Sequence, residues 1–189
     1  MTLTVLKRLS VSKLITLSTV LLLSVYSASA TAQRISASDD GKEAIAKFVL
    51  NFGRFIDWPD SAFSSGDAAF KVCIIGENHL GAELEQALSG KSAGKRDFAI
   101  QELAGGQLEE AKACQLLYIS ASEESRVGEI SGAVSGLPIL TVGETDNFPE
   151  NGGMIGLADA DGRVAVRMAR SVIEAANLNV RSQLMRAIQ

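Results

Sequence analysis

This sequence of 189 residues contains only one histidine, two cysteines and one tryptophan. A single histidine and two cysteines fall short of the four ligands that a structural zinc ion needs, so we expect no metal site. The same histidine, His79, would be the only imidazole base for a serine or cysteine nucleophile, and no nucleophile stands at a recognisable spacing from it. We therefore predict that the protein is not an enzyme, with a hydrolase around His79 as the weakest alternative.

Motifs for phosphate and cofactor binding are also missing. The turn Gly76–Gly81 follows an apolar run, as phosphate-binding loops do, but it has neither a Lys-Ser or Lys-Thr pair nor the three-glycine dinucleotide pattern. Asp159 and Asp161 before Gly162 are too few carboxylates for a calcium loop. We expect no cofactor.

Long hydrophobic runs are absent except for one near the N-terminus. Lys7, Arg8 and Lys13 precede a mostly apolar segment, residues 14–25, which is followed by the small residues Ala28-Ser29-Ala30. This order is typical of a cleaved signal peptide, predicted here over residues 1–30. The apolar segment is shorter than the ~20 residues of a membrane-spanning helix, so an uncleaved anchor is the less favoured alternative. A short linker over residues 31–41 and one domain over residues 42–189 are expected to follow.

Basic residues are in the minority once this leader is removed. The remaining chain has 15 basic and 22 acidic residues, a net charge of −7, which argues against binding nucleic acid. Hydrophobic residues make up 47% and charged residues 21% of the chain, as in an ordinary globular domain. The sequence thus predicts an exported domain located in the periplasm, with no membrane insertion after cleavage.

The two cysteines, Cys73 and Cys114, both lie in the predicted mature chain. An even number of cysteines in an oxidising compartment favours one intramolecular disulfide. The alternative is two buried free thiols that act as small hydrophobic side chains, because Cys73 lies within an apolar run.

Residues 41–57 predict a first helix, which should end at Trp58-Pro59 because proline disfavours helical geometry in the residue before it. Apolar side chains recur three and four positions apart in this segment, at Ile45, Phe48, Val49, Phe52, Phe55 and Ile56. Most of them are expected to fill the core. The candidate contacts with a partner or ligand are Asn51, which lies beside this stripe, Phe55 near its end, and Trp58 beyond it.

Strands and helices alternate in the rest of the chain. Apolar runs predict strands at residues 70–75, 98–103, 116–120 and 137–142. A helix should follow the first of these strands and end at about Leu88. Another helix should run from about Glu123 to Val134, with Ser122 as its expected N-cap. Residues 154–158 and 163–168, separated by Asp159-Ala160-Asp161-Gly162, predict an antiparallel hairpin. A helix over residues 170–176 should end at Asn177 in a left-handed conformation. The predicted fold is α/β: a single domain whose largely parallel sheet is flanked by helices and closed by a C-terminal antiparallel hairpin.

One segment of the chain reads Phe48-Val49-Leu50-Asn51-Phe52-Gly53-Arg54-Phe55-Ile56-Asp57-Trp58-Pro59. It resembles the opening signature of the YfiR-like family of periplasmic proteins, and further segments match in order over nearly the whole mature chain. The later matching segments are residues 70–76, 137–142, 152–157 with 162–164, and 175–184. Residues 166–169 depart from the family, which commonly has an aromatic residue, an acidic residue and an asparagine there.

This resemblance implies a non-enzymatic regulator that binds and restrains the periplasmic part of a membrane diguanylate cyclase, which lowers cyclic di-GMP and biofilm formation. Cysteine pairing in the family is associated with redox-sensitive restraint, and Cys73 and Cys114 match one such pair. A second pair, expected near the glycine-rich hairpin, is missing, so a switch of two disulfides does not carry over. Family members often self-associate, so a homodimer is among the expected states.

A different class of function also fits the sequence. A parallel α/β sheet offers a ligand crevice at the carboxyl ends of its strands, here near Gly76 or Ser120. The alternative hypothesis is therefore a periplasmic small-molecule binding module that acts as a sensor.

Overall fold

The computed structural model describes residues 34–145, 147–160 and 163–187. The predicted signal peptide therefore lies outside the described residues, as does the turn Asp161-Gly162. The helices are α1 (Asp39–Phe55), α2 (Gly81–Leu88), α3 (Leu108–Ala111), α4 (Val127–Ala133), α5 (Arg170–Ala175) and α6 (Ser182–Ala187). The strands are β1 (Ile56–Asp57), β2 (Phe70–Ile75), β3 (Ser92–Ala93), β4 (Arg96–Leu103), β5 (Leu116–Ile119), β6 (Leu140–Gly143), β7 (Ile155–Ala160), β8 (Arg163–Met168) and β9 (Asn179–Val180). Short 3-10 helices cover Ile35–Ala37, Asp60–Ala62 and Ala121–Arg126.

Seven strands form the main sheet, in the order β3-β4-β2-β5-β6-β7-β8. The five central strands are parallel to one another, whereas β3 and β8 pair antiparallel at the two edges. β1 and β9 form a separate antiparallel pair outside this sheet. The predicted α/β class, the largely parallel sheet and the C-terminal hairpin of β7 and β8 are confirmed.

The sheet separates two hydrophobic cores because successive side chains of a strand point to opposite faces. Val72 and Ile74 of β2 belong to what we call the α1-side core, which also contains Val49 and Phe52 of α1. Cys73 and Ile75 of β2 belong to the disulfide-side core, which α3 and α4 cover. Both faces of the central strands are therefore buried, as expected of parallel strands.

Helix α1 begins two residues earlier than predicted because Ser38 caps it. The Ser38 hydroxyl oxygen accepts a hydrogen bond from the Gly41 amide at 3.1 Å, and the preceding residues Ile35 and Ser36 are buried. The predicted linker, residues 31–41, is described from Arg34 onward. This part contains the 3-10 helix Ile35–Ala37 and the start of α1.

Other local predictions differ from the structure at element ends. Ser122 is not a helix cap: its hydroxyl oxygen accepts from the Glu77 amide at 3.0 Å, and residues 121–126 form a 3-10 helix. Strand β6 starts at Leu140 rather than Leu137. Asn177 adopts the predicted left-handed conformation, with φ of 56°.

Candidate partner-binding site

The chain turns sharply where α1 ends, and this turn forms one wall of a surface pocket. Ile56 has extended backbone geometry and its amide bonds to the carbonyl of Phe52, after which β1 pairs with β9. Trp58 and Pro59 then lead into the 3-10 helix of residues 60–62. We call the cavity of about 240 Å³ at this turn the Trp58 pocket; its lining includes Arg54, Asp57, Trp58, Phe63, Arg96 and Arg181.

Trp58 is held in a half-buried position by an aromatic contact and a hydrogen bond. Its ring meets Phe70 edge-to-face, with centroids 4.8 Å apart and planes at 90°, and its Nε1 donates to the carbonyl of Gln115 at 3.2 Å. Phe70 in turn contacts Phe98 at 5.2 Å between centroids. A half-buried tryptophan with a satisfied N–H has the properties of an interface anchor.

The Gln115 side chain fixes the loop that carries Trp58. This amide is only 4% exposed; its Oε1 accepts from the Lys71 amide at 2.8 Å, and its Nε2 donates to the carbonyl of Ala62 at 2.5 Å. One side chain therefore joins the loop after α1 to the starts of β2 and β5. These bonds hold the loop in one arrangement, because breaking them would leave buried polar groups without partners.

Arginines surround the mouth of the pocket. The Arg96 guanidinium lies 3.7 Å from the centroid of the Phe63 ring, a cation–π arrangement, and donates to the carbonyl of Ala68 at 2.7 Å. Arg181 forms an ion pair with Asp57 through two guanidinium nitrogens, and this hydrogen-bonded carboxylate raises the pKa of Arg181.

The charges at this mouth are unbalanced. Four cations line the pocket, Arg54, Lys95, Arg96 and Arg181, against the two carboxylates of Asp57 and Asp60. The net local charge of +2 contrasts with the predicted −7 of the mature chain. The pocket is thus a positive and aromatic patch on an acidic protein.

The disulfide lies directly behind this patch. Cys73 in β2 and Cys114 just before β5 are bonded, with their α-carbons 6.0 Å apart. Gln115 follows Cys114, and its carbonyl accepts bonds from both Trp58 Nε1 and the Leu140 amide. The covalent link therefore continues through one residue to the indole that lines the pocket.

A family model for YfiR/HmsC-like proteins matches residues 42–187. The chain belongs to the YfiR/HmsC-like family. This family is regulatory and periplasmic. Among curated proteins, no sequence matches the chain.

Within this family fold, the three predicted contact residues take up different positions. Trp58 lines the pocket, whereas Asn51 and Phe55, one helical turn apart on α1, do not. Asn51 is half-buried, and Phe55 packs partly against the α1-side core while its carbonyl accepts from the Arg181 amide at 3.0 Å.

Sequence reasoning missed Gln115, Arg96 and Arg181 as parts of this candidate site. Gln115 could have been noticed as a polar residue between a cysteine and an apolar strand, but its partners come from distant segments. Arg96 lies in no matched segment, and Arg181 lies in the terminal one, 85 positions away, so only the fold brings them together.

The other predicted places are the carboxyl ends of the strands, near Gly76 and Ser120, and the turn with His79. At the carboxyl ends of the strands, Ser120 Oγ donates to the carbonyl of Glu77 at 2.6 Å, and a β-carbon on Gly76 would meet Ser122 Oγ. His79 is exposed, with its Nε2 3.3 Å from Glu77 Oε2. Within the described ranges, no cluster of histidine, cysteine and carboxylate side chains could hold a metal. The helices of those ranges are all too short or too polar to cross a membrane.

Proposed function

We propose that this protein is a non-enzymatic periplasmic regulator that binds the periplasmic part of a membrane diguanylate cyclase through the Trp58 pocket. Binding restrains the cyclase, lowers cyclic di-GMP and reduces biofilm formation. A signal peptide over residues 1–30 directs export and is then cleaved.

The observation that carries this proposal is the half-exposed Trp58 within a rim of net charge +2, in a chain that belongs to a regulatory family. Aromatic and arginine side chains are the residues most enriched at the centre of protein interfaces. The positive rim favours an acidic segment of the partner, since opposite charges speed association and fix its orientation. At the strand ends, Ser120 and Ser122 contact Glu77 and the backbone near Gly76, which gives the small-molecule alternative less support.

We further propose that the disulfide makes this restraint responsive to redox state. Reduction would free Cys114 from β2, and the neighbouring Gln115 holds both Trp58 and the loop of residues 60–62. A change at the cysteines would therefore reach the binding surface without passing through the rest of the core.

Cyclic di-GMP in a strain that lacks the protein tests this function. We expect a rise on deletion that the wild-type chain reverses and that Lys95→Glu, a charge reversal on the pocket rim, fails to reverse. Lys91→Glu is the matched control, because Lys91 is also an exposed lysine and does not line the Trp58 pocket.

Trp58→Ala provides a second variant of the site, with thermal unfolding measured to show that it still folds. If deletion leaves cyclic di-GMP unchanged in several growth conditions, restraint of a cyclase is wrong. If Lys95→Glu and Trp58→Ala both restore low cyclic di-GMP fully, the partner binds elsewhere.

A further inference from the structure

A small cavity of about 70 Å³ lies between the C-terminal end of α4 and helix α5. We call it the Ser131 cavity; its lining includes Ser131, Val134, Thr141, Met154, Val172 and Ala176. Val134 belongs to the disulfide-side core, whereas Met154 and Ala176 belong to the α1-side core. The cavity is therefore formed where side chains of the two cores come together, close to the starts of β6 and β7.

One hydroxyl group in this lining is buried without a partner. Ser131 in α4 is 7% exposed, and its Oγ has no hydrogen-bond partner among the described residues. Thr141 is also buried, but its Oγ1 accepts a hydrogen bond from the Met154 amide at 2.9 Å. A buried hydroxyl group that makes no hydrogen bond costs stability. The Ser131 hydroxyl is thus available to bond a molecule held in the cavity.

The rest of the lining restricts the chemistry of that molecule. Among the described residues, no charged side chain lines the cavity, so an ion would lose its hydration without a compensating charge. The apolar part of the wall consists of Val134, Met154, Val172, Ala175 and Ala176. A buried water usually needs about three hydrogen bonds, whereas apolar cavities hold apolar molecules. The lining therefore suits a neutral molecule that is apolar except for one hydrogen-bonding group.

Size and access limit the molecule further. Since a cavity of about 150 Å³ holds benzene, one of about 70 Å³ accommodates roughly three or four non-hydrogen atoms. Val172 is 42% exposed, and Ser135 and Ala175, which also line the cavity, are exposed as well. A molecule of this size can therefore reach Ser131 from solvent between α4 and α5.

We propose that the Ser131 cavity is a binding site for a small neutral molecule with an apolar body and one hydroxyl or carbonyl group, such as a short-chain alcohol or ketone. The Ser131 hydroxyl bonds the polar group, while Val134 and Met154 contact the apolar body. Because the bound molecule contacts both α4 and α5, it stabilises their packing in the native state. The cavity shares none of its described lining residues with the Trp58 pocket, and the site does not depend on the proposed function.

Titration with isopropanol, followed through the methionine methyl signals by NMR, tests this site. Isopropanol matches the cavity in size and has a single hydroxyl group. We expect a saturable shift of the Met154 methyl signal, whereas Met168 in β8 and Met185 in α6 lie outside the cavity and serve as internal references. Ser131→Ala should weaken isopropanol binding by about three- to tenfold, because one hydrogen bond is lost.

Xenon separates the role of the hydroxyl group from that of the apolar walls, since it binds apolar cavities without hydrogen bonds. Ser131→Ala should bind xenon at least as tightly as the wild type does. Ser125→Ala is the matched control: Ser125 is an exposed serine that does not line the cavity, and its loss should change neither titration. Ser131→Ala removes a hydroxyl group that has no partner in the fold, so it should not lower the thermal unfolding midpoint.

Two results would overturn the proposal. A Met154 signal that responds to neither isopropanol nor xenon would mean that the cavity holds water only. Equal isopropanol affinity in the wild type and in Ser131→Ala would mean that the hydroxyl group does not recognise the ligand.

Discussion

Tyr118 and Glu144 form a buried polar pair that joins the N-terminal segment to the sheet. Glu144 is 7% exposed and accepts hydrogen bonds from the Tyr118 hydroxyl and from the Ser36 amide, the latter at 2.9 Å. Burial, together with the charge of Glu144, raises the pKa of Tyr118 well above its usual value of 10.0. A single carboxylate thus links the chain before α1 to β5.

We expect Tyr118→Phe to lower the free energy of unfolding by about 1–3 kcal/mol near neutral pH, because Glu144 then loses a buried donor. The raised pKa means that the folded state favours the neutral phenol. This contribution is complete below about pH 10 and is lost as the pH rises toward the folded-state pKa. Wild-type stability should therefore fall more steeply above about pH 10 than that of Tyr118→Phe.

Chemical denaturation at about pH 8 and about pH 11 measures this difference. The other tyrosine, Tyr26, lies in the predicted signal peptide, so tyrosinate absorbance reports Tyr118 in the processed chain. Equal pH slopes for the two proteins would contradict the prediction.

Residue-level roles of this kind were the least predictable from sequence. Gln115, Tyr118 and Glu144 act through partners 26 to 108 positions away, and a single sequence gives no signal for such pairs. The left-handed Asn177 was predictable because a helix end has a local cause.

At the scale of elements, close packing between α1 and β4 explains a glycine inside a helix. Gly53 is buried in α1, where a β-carbon would lie 2.6 Å from two ring atoms of Phe98. A glycine in a helix normally costs stability relative to alanine. Here its missing side chain lets the helix approach the strand.

We expect Gly53→Ala to destabilise the protein by about 1–3 kcal/mol, since the new methyl group displaces the Phe98 ring. Gly132 in α4 is the matched control: nothing lies within 4 Å of a β-carbon placed there. Gly132→Ala should instead raise stability by up to about 1 kcal/mol. Thermal unfolding of both variants checks the opposite signs, and a destabilising effect of equal size at the two positions would refute the packing argument.

Elements with a local cause were predictable, whereas their neighbours in space were not. The periodicity of residues 70–75 and of 163–168 gave both strands at their observed bounds. The helix predicted from Glu123 to Val134 begins as a 3-10 helix and continues as α4, and Ser122 bonds the distant Glu77 amide instead of capping it. The β1–β9 pair was missed because each strand has only two residues.

On the scale of the whole molecule, one covalent bond ties the sheet to the candidate site. The Cys73–Cys114 disulfide spans 41 positions, so its loss should lower the free energy of unfolding by about 4 kcal/mol through loop entropy. Sequence could suggest the bond from the even cysteine count. It could not show that Gln115 continues the link to Trp58, because that contact depends on how β5 lies beside β2.

We expect reduction of the folded protein to shift the fluorescence emission of Trp58, because Gln115 loses the covalent anchor next to it and the indole N–H gains access to water. Trp58 is the only tryptophan, so the emission has a single source. The double variant Cys73→Ala with Cys114→Ala should emit like the reduced wild type and should not respond to reductant. A wild-type emission that stays constant while free thiols appear and the fold persists would separate the disulfide from the Trp58 pocket. In that case the bond stabilises the fold without regulating the site.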